Sequence, residues 1–340
     1  MTFRSVAKKA AYQLGAMSAF HRARHRECLT VVMFHRVMPD KEQAQTAADP
    51  LYAVTPEFLS ECVAFFKRNY AIVGLNDVLQ SLKRVKPLPS RPLLITADDG
   101  WRDNADWALP VLRDIPWTLF VATDAIQDPE CWWQEVLLWA LRSGRPSFED
   151  LWRRAEVEST ATSESPTSKD ILSLVLRYAN LTVVQRKRAL SEFESELRHR
   201  SQKSHMLTVA EVASLRAAGV DIASHGASHL PLSRIDDPAS DLRRAKEWLE
   251  PLSSHSAMSF PHGRHNEKAV DAARRLGYEA IFTSDPLLNP CPRGWLESDL
   301  IGRIPLSTES AGNEQGGLAP ERLAPWLYLR DRHSPSADFM

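Results

Sequence analysis

Cysteine is scarce in this 340-residue chain, and Cys28, Cys62, Cys131 and Cys291 are spaced too widely to form a CxxC pair. That excludes a disulfide scaffold and a thiolate metal site, so the four read as reduced thiols. No apolar run approaches the about 18 residues that a transmembrane helix requires. Lys8, Lys9 and Gln13 interrupt the apolar residues of the first turns, so a signal-peptide core is missing as well. Net charge is nearly absent, with 42 Lys+Arg against 43 Asp+Glu, which argues against a dedicated nucleic-acid binder. No internal repeat is present. At 44% hydrophobic and 25% charged residues the composition is that of a globular protein.

The near-neutrality conceals an asymmetry. Residues 1–26 carry Arg4, Lys8, Lys9, Arg22, Arg24 and Arg26 and no acid, a local charge of +6. Phe3, Val6, Ala10, Tyr12, Leu14, Met17 and Phe20 can form one face of a basic amphipathic helix, which suits an anionic membrane surface. A solvated N-terminal extension is the alternative.

Short apolar runs alternate with amphipathic helices along most of the chain. Strands are expected at Leu29–Phe34, Leu93–Ala97, Trp117–Ala122, Val220–Ser224, Ala257–Phe260, Ala280–Thr283 and Leu300–Ile304. Most of these runs are continuously apolar, as in parallel strands covered on both faces. Helix ends are legible at Thr55-Pro56-Glu57, at the capping box of Thr208 and Glu211 with its stop at Gly219, at Asp237-Pro238, and at Gly277. This alternation implies an α/β fold with a parallel sheet and right-handed crossovers. Residues 130–206 interrupt the rhythm with expected helices at Cys131–Leu141 and Ile171–Arg198, joined by the Ser/Thr/Glu-rich stretch Val157–Lys169. They read as a helical insertion. Residues 1–27 form a basic extension, residues 28–306 the main domain, and residues 307–340, rich in Gly, Pro and charge, an irregular tail.

Four places at strand ends can carry chemistry, and ligands of parallel α/β proteins bind there. Asp98 and Asp99 are adjacent carboxylates, which repel unless a cation or proton relieves them; a solvated Asp-Asp-Gly turn is the alternative. His225 and His229, four residues apart, can converge on one metal ion, or be unrelated loop histidines. With one carboxylate they would make three protein ligands, the pattern of an open, hydrolytic zinc site. Pro261, His262 and Gly263 form a turn whose His262 N–H could face an oxyanion. His35, ending the first strand, could serve as a general acid or be structural. Six of the ten tryptophans fall between residues 101 and 139. Trp101, Trp132 and Trp133 are assigned to sugar stacking, with core packing as the competing account.

In this order the pieces resemble polysaccharide deacetylases of carbohydrate esterase family 4, the nodulation-factor deacetylase type. Thr96-Ala97-Asp98-Asp99-Gly100 resembles the Thr-Phe-Asp-Asp-Gly motif, and His225–His229 the His-Ser/Thr-x-x-His motif. Phe260-Pro261-His262-Gly263 resembles the Tyr-Pro-Tyr-Gly variant of the third. Phe34-His35-Arg36-Val37 is similar to the Tyr-His-Arg-Val opening of the biofilm poly-N-acetylglucosamine deacetylase branch. The resemblance implies a distorted (β/α) barrel of about seven parallel strands that removes N-acetyl groups from a glycan. It implies Asp98 as base, His35 as acid, a divalent metal, zinc first, on Asp99, His225 and His229, an oxyanion contact at His262, and a glycan partner rather than nucleic acid. Relatives of this type are both exported and cytoplasmic, and the missing signal-peptide core makes a cytoplasmic location the expectation, with the basic residues 1–26 as a candidate attachment to the inner membrane. Ala97 and Gly226 depart from the motifs, which implies some lost packing or support; Ser259 in place of arginine fits the Tyr-Pro-Tyr-Gly variant, a backbone donor survives the change from Tyr to His262, and no Leu-x-His motif follows. A non-sugar amide substrate and an inactive glycan-binding barrel are the alternatives.

Overall fold

A computed structural model describes residues 10, 12–41, 52–127, 132–158, 171–200, 205–253, 255–313 and 315–332. Seven strands form the ring of the central sheet: β1 (Cys28–Phe34), β2 (Pro92–Ala97), β3 (Thr118–Val121), β4 (Asp221–Ser224), β5 (Ala257–Ser259), β6 (Ala280–Phe282) and a divided β7 (Leu300–Ile301 with Ile304–Pro305); short strands Ala71–Ile72, parallel to β2, and Asn289–Pro290, antiparallel to β1, add to it. They pair in parallel in the order β1-β2-β3-β4-β5-β6-β7. The first half of β7 pairs with β6 and the second half with β1. One segment therefore reaches both edges and brings the ring to closure across Gly302 and Arg303. The fold is the expected (β/α) barrel, and each strand lies within two residues of its expected place.

The continuous apolar runs follow from burial on both faces. Alternate residues Leu29 and Val31 of β1, Leu94 of β2, Phe120 of β3, Ala223 of β4, Phe282 of β6 and Ile301 of β7 share one cluster. Their neighbours Val32, Phe34, Ile95, Leu119, Val121 and Ile222 pack outward against helices. The helix Pro56–Asn69 starts as read, with Thr55 Oγ1 accepting from the Phe58 N–H at 3.1 Å and Pro56 in its first turn. It contributes Phe58, Phe65 and Phe66 to that outer layer, each worth about 1.5–3 kcal/mol on burial. The Thr208–Glu211 capping box and the Asp237 cap form as read.

Residues 132–200 hold four helices in the described segments, Trp133–Arg142, Phe148–Glu158, Ile171–Ala179 and Val183–Arg200. They share a separate apolar core that includes Leu137, Leu151, Leu174, Tyr178 and Phe193. The expected single helix at Ile171–Arg198 is divided. Arg186 donates to the carbonyls of Tyr178, Ala179 and Leu181, while Thr182 and Gln185 cap the next helix reciprocally. Cys131 and most of the Ser/Thr/Glu-rich linker lie outside the described residues.

Both chain ends differ from expectation. The residues read as an irregular tail carry a helix at Pro320–Tyr328, whose Leu323, Ala324, Leu327 and Tyr328 are buried in the outer core. Apolar spacing of one, three and one residues gives that segment a buried stripe despite its prolines. Against it rests the helix Ala16–Arg24, with His21 stacked on Tyr328 at 4.1 Å between ring centroids. Tyr12 and Met17, assigned by sequence to a membrane-facing stripe, pack on the core instead. Leu14 and Phe20 remain exposed, whereas Phe3 and Val6 lie outside the described residues.

Candidate active site

The carboxyl ends of β1, β2, β4 and β5 bring the sequence-predicted residues together. The β1–β2 register pairs Phe34 with Ala97, so His35 and Asp98 follow side by side at the barrel mouth. The period of two that puts Leu94 and Thr96 inside the ring also turns Asp98 inward, while Asp99, at φ 78°, ends the extended run.

Asp99, His225 and His229 converge. Asp99 Oδ1 lies 3.3 Å from His225 Nε2 and 3.0 Å from His229 Nε2, and one ligand atom from each residue falls within 4.8 Å of the others. All three side chains are buried, and Asp99 Oδ1 has no hydrogen-bond partner. The far sides of both rings explain this. His225 Nδ1 faces the Ser259 carbonyl at 3.0 Å and Ser259 Oγ at 2.6 Å. A carbonyl only accepts, so Nδ1 carries the proton and Nε2 presents a lone pair. The Gln134 side chain dictates the same tautomer for His229, as developed below. Three lone-pair atoms within 4.8 Å of one another in a buried site, with both nitrogens 3.0–3.3 Å from the carboxylate oxygen, repel one another unless a cation lies between them. The donor set of one carboxylate and two imidazoles suits zinc, and it fits the expected metal.

Trp101 Nε1 donates to the other oxygen of Asp99, at 2.8 Å. Its ring lies between the Arg36 guanidinium, 4.1 Å from the ring centroid, and Trp132 at 5.2 Å. Trp132 in turn meets His229 edge-on at 5.1 Å. Both tryptophans are buried as walls around the ligands. Trp133 faces the insertion, under Arg186.

Asp98 has a different partner, which the sequence reading missed. Arg303 grips it with two parallel bonds, Nη1–Oδ1 at 2.7 Å and Nη2–Oδ2 at 2.8 Å, and its Nε donates to the Thr283 carbonyl. Arg303 is 0% exposed and Asp98 2%. Burial pushes the Asp98 carboxyl up, and Arg303 together with His225 and His35 more than offsets this, leaving it below the usual carboxylate range. The available signal was position: Arg303 follows inward-facing Ile301 at a spacing of two.

His35 lies in the same field. Burial pulls its imidazole below the usual range, opposed in part by Asp99 and Asp98. Its ring sits edge-on to Tyr52 at 5.0 Å, and its carbonyl accepts from Asn104. His262 is at φ 56°, its ring 4.5 Å from that of His229. Asp99 and His229 also have positive φ, 78° and 55°, a strain that clusters where a site constrains the backbone. Pro261 is buried, and Gly263 is required by space, since a Cβ there would stand 2.5 Å from Ser284 Cβ.

The loop from His225 to His229 keeps its support despite Gly226. Asp241 accepts from the N–H groups of Ala227 at 2.8 Å and Ser228 at 3.0 Å. A Cβ on Gly226 would come within 2.9 Å of the same carboxylate, at φ 71°. The expected loss of support is therefore corrected: the brace comes from the following helix, and glycine makes room for it.

A barrel carrying two buried carboxylates of unlike environment and two convergent imidazoles at its mouth has the design of a hydrolase. Residues 176–281 match the polysaccharide deacetylase family, and sequence and fold together relate the chain to these deacetylases. YxkH of Bacillus subtilis (strain 168), whose name places it in the same family, is 28% identical over 86 residues, 24% of this chain and 31% of that protein. The match thus spans under a third of that relative. The deacetylase PplD of Streptococcus pyogenes, solved in complex with acetate, superposes with a TM-score of 0.54 at 16% identity, covering 88% of this chain and 98% of that one. A de-N-acetylase from Aggregatibacter actinomycetemcomitans gives 0.52 at 16% identity, covering 84% and 97%.

Proposed function

We propose that the protein is a metal-dependent N-deacetylase that hydrolyses the acetamide of N-acetylated sugars in a bacterial polysaccharide, oligosaccharide or lipid-linked glycan. The convergence of Asp99 Oδ1 with two unprotonated Nε2 atoms, beside an arginine-held second carboxylate, carries this reading. Asp99, His225 and His229 would hold the ion, zinc in our reading. When bound it supplies Lewis acidity and an acidified water.

The remaining roles belong to the chain. Asp98, kept ionised by Arg303, removes a proton from the attacking water. The developing oxyanion accepts from the His262 N–H. His35 delivers a proton to the departing amine, so that the C–N bond breaks to give acetate and a free amino sugar. Burial keeps its imidazole neutral at rest, and negative charge gathering in front of it raises its affinity for a proton, so it can pass on to the amine the proton that Asp98 took from the water. Pro261 and Gly263 shape the turn beside the substrate. Trp101 and Trp132 wall the pocket and orient its ligands, and Trp133 borders the insertion side. Among the described residues no helix is long and apolar enough to cross a membrane. Residues 1–26, with Leu14 and Phe20 exposed beside Arg22, are assigned to peripheral contact with an anionic membrane on its cytoplasmic side; co-sedimentation with anionic vesicles tests this.

Metal analysis of the purified protein and acetate release from chito-oligosaccharides test the main reading. The wild type should hold a divalent metal and release acetate. Asp99→Ala should lose the metal, and Asp98→Asn should keep it while turnover falls by about 10²–10⁴. A wild type without metal refutes the proposal. Metal without acetate from any sugar directs the same machinery to a non-sugar amide.

A further inference from the structure

We propose that Gln134, on the first helix of the insertion, is a positioning residue that sets the tautomer and aim of His229, so that the insertion completes the metal centre. The inference rests on the metal-site reading above. Gln134 is 1% exposed, and its side-chain amide is fully committed. Nε2 donates to the Ser228 carbonyl at 2.9 Å and the His229 carbonyl at 3.4 Å, and Oε1 faces His229 Nδ1 at 2.9 Å. The two carbonyls accept only, so the amide nitrogen must face them and the oxygen must face the ring. Nδ1 of His229 is therefore the donor, and its Nε2 lone pair points at Asp99.

Neighbouring contacts dock the same helix to the barrel. Trp132 touches the His229 ring. Glu135 Oε1 lies 2.6 Å from His205 Nδ1 and 3.7 Å from the Arg36 guanidinium. Leu230, directly after the ligand, packs on the insertion's own core. The metal-binding loop is thus clamped between Asp241 of the barrel and Gln134 of the insertion. Outer partners that fix a ligating imidazole typically contribute 10–100-fold to metal affinity.

The test compares wild type, Gln134→Leu and Gln134→Glu, all full length. Metal-free protein is titrated with zinc against a chromophoric chelator, and ¹⁵N spectra report the His229 tautomer. Val184→Ala, on the exposed face of the insertion, is the control. Gln134→Leu should bind zinc about 10–100-fold more weakly and show a mixed tautomer. Gln134→Glu still accepts from Nδ1 and should retain both wild-type affinity and tautomer, even if its melting temperature falls. Equal affinity loss in both variants, tracking equal loss of stability, would mean the residue only packs and would overturn the proposal. Wild-type binding and tautomer in Gln134→Leu would overturn it as well. A wild type that takes up no zinc removes the metal-site reading itself, a distinct failure seen before any variant is made.

Discussion

Replacing Arg303 with methionine probes how the barrel tolerates Asp98. The pair is almost fully desolvated and its two bonds are 2.7 and 2.8 Å. Methionine fills much of the space and leaves a buried carboxylate without its cation. Breaking a buried pair in this way costs about 3–5 kcal/mol, a large share of the roughly 5–15 kcal/mol that holds a domain together. Arg303→Lys keeps the charge but loses the two-pronged geometry, so its cost should be smaller. The double variant Arg303→Met/Asp98→Leu replaces the pair by apolar groups and should recover most of the loss, and with the single Asp98→Leu it should give a coupling energy of about 2 kcal/mol or more. Urea denaturation in metal-free buffer followed by circular dichroism measures all five proteins without a contribution from ligand binding. A cost below about 1 kcal/mol for Arg303→Met, or a double variant no more stable than that single one, would refute the reasoning.

Three further outcomes follow from packing and charge elsewhere. Burial, together with Arg91 and Arg22, holds His21 at about 3, and burial with Arg24 and Arg332 nearby holds His25 at about 4, against an opposing bond to the Tyr328 carbonyl. The unfolded imidazoles take protons below about 6.5 and the folded ones do not, so their contribution is complete above that pH and is lost as pH falls toward 4 and 3. At pH 5 the loss is on the order of 2 kcal/mol for each histidine. Amide exchange over residues 16–24, corrected for intrinsic rates, should show weaker protection at pH 5 than at pH 7, with His21→Phe reducing the difference; equal protection in the wild type contradicts it. Asp241→Ala strands two loop N–H groups and should cost about 1–3 kcal/mol and weaken metal binding, both visible in a melting curve with and without zinc. Gly263→Ala, at φ 64° and against Ser284, should destabilise by more than about 1 kcal/mol, with partial relief from Ser284→Gly.

Much of the barrel could be read from sequence because its strands are buried on two faces and therefore run continuously apolar. The convergent group could be singled out because Asp99, His225 and His229 sit directly after such runs. Residues that brace them were less visible. Arg303 and Asp98 are 205 positions apart, and Gln134 and His229 are 95 apart, so only the folded chain shows that they meet. Asp241 stands in the first turn of its helix, where acids are common for dipole reasons, so nothing local marks it as a brace. Other features had local signals that went unread. Thr182 and Gln185, and Ser147 with Asp150, are reciprocal caps that mark the starts of two insertion helices. Leu323, Ala324, Leu327 and Tyr328 follow helical spacing within a segment whose composition suggested irregularity. Tryptophan was ambiguous for a chemical reason: the same ring that could stack on a sugar also donates to Asp99 and packs beside His229.

The divided closing strand has a consequence for the protein during its synthesis. Arg303 enters the barrel with β7, long after the ribosome has delivered Asp98 and the metal-binding loop. Until then a nascent chain holds a carboxylate pair facing an open ring, and closing it brings together residues some 200 positions apart at substantial entropic cost. Ring closure and the pairing of Asp98 then occur in the same event. A truncated or stalled product lacking that strand would carry Asp99, His225 and His229 and still leave Asp98 without its arginine. Pairing of Asp98 on a nascent chain should accordingly wait until residue 303 has cleared the exit tunnel.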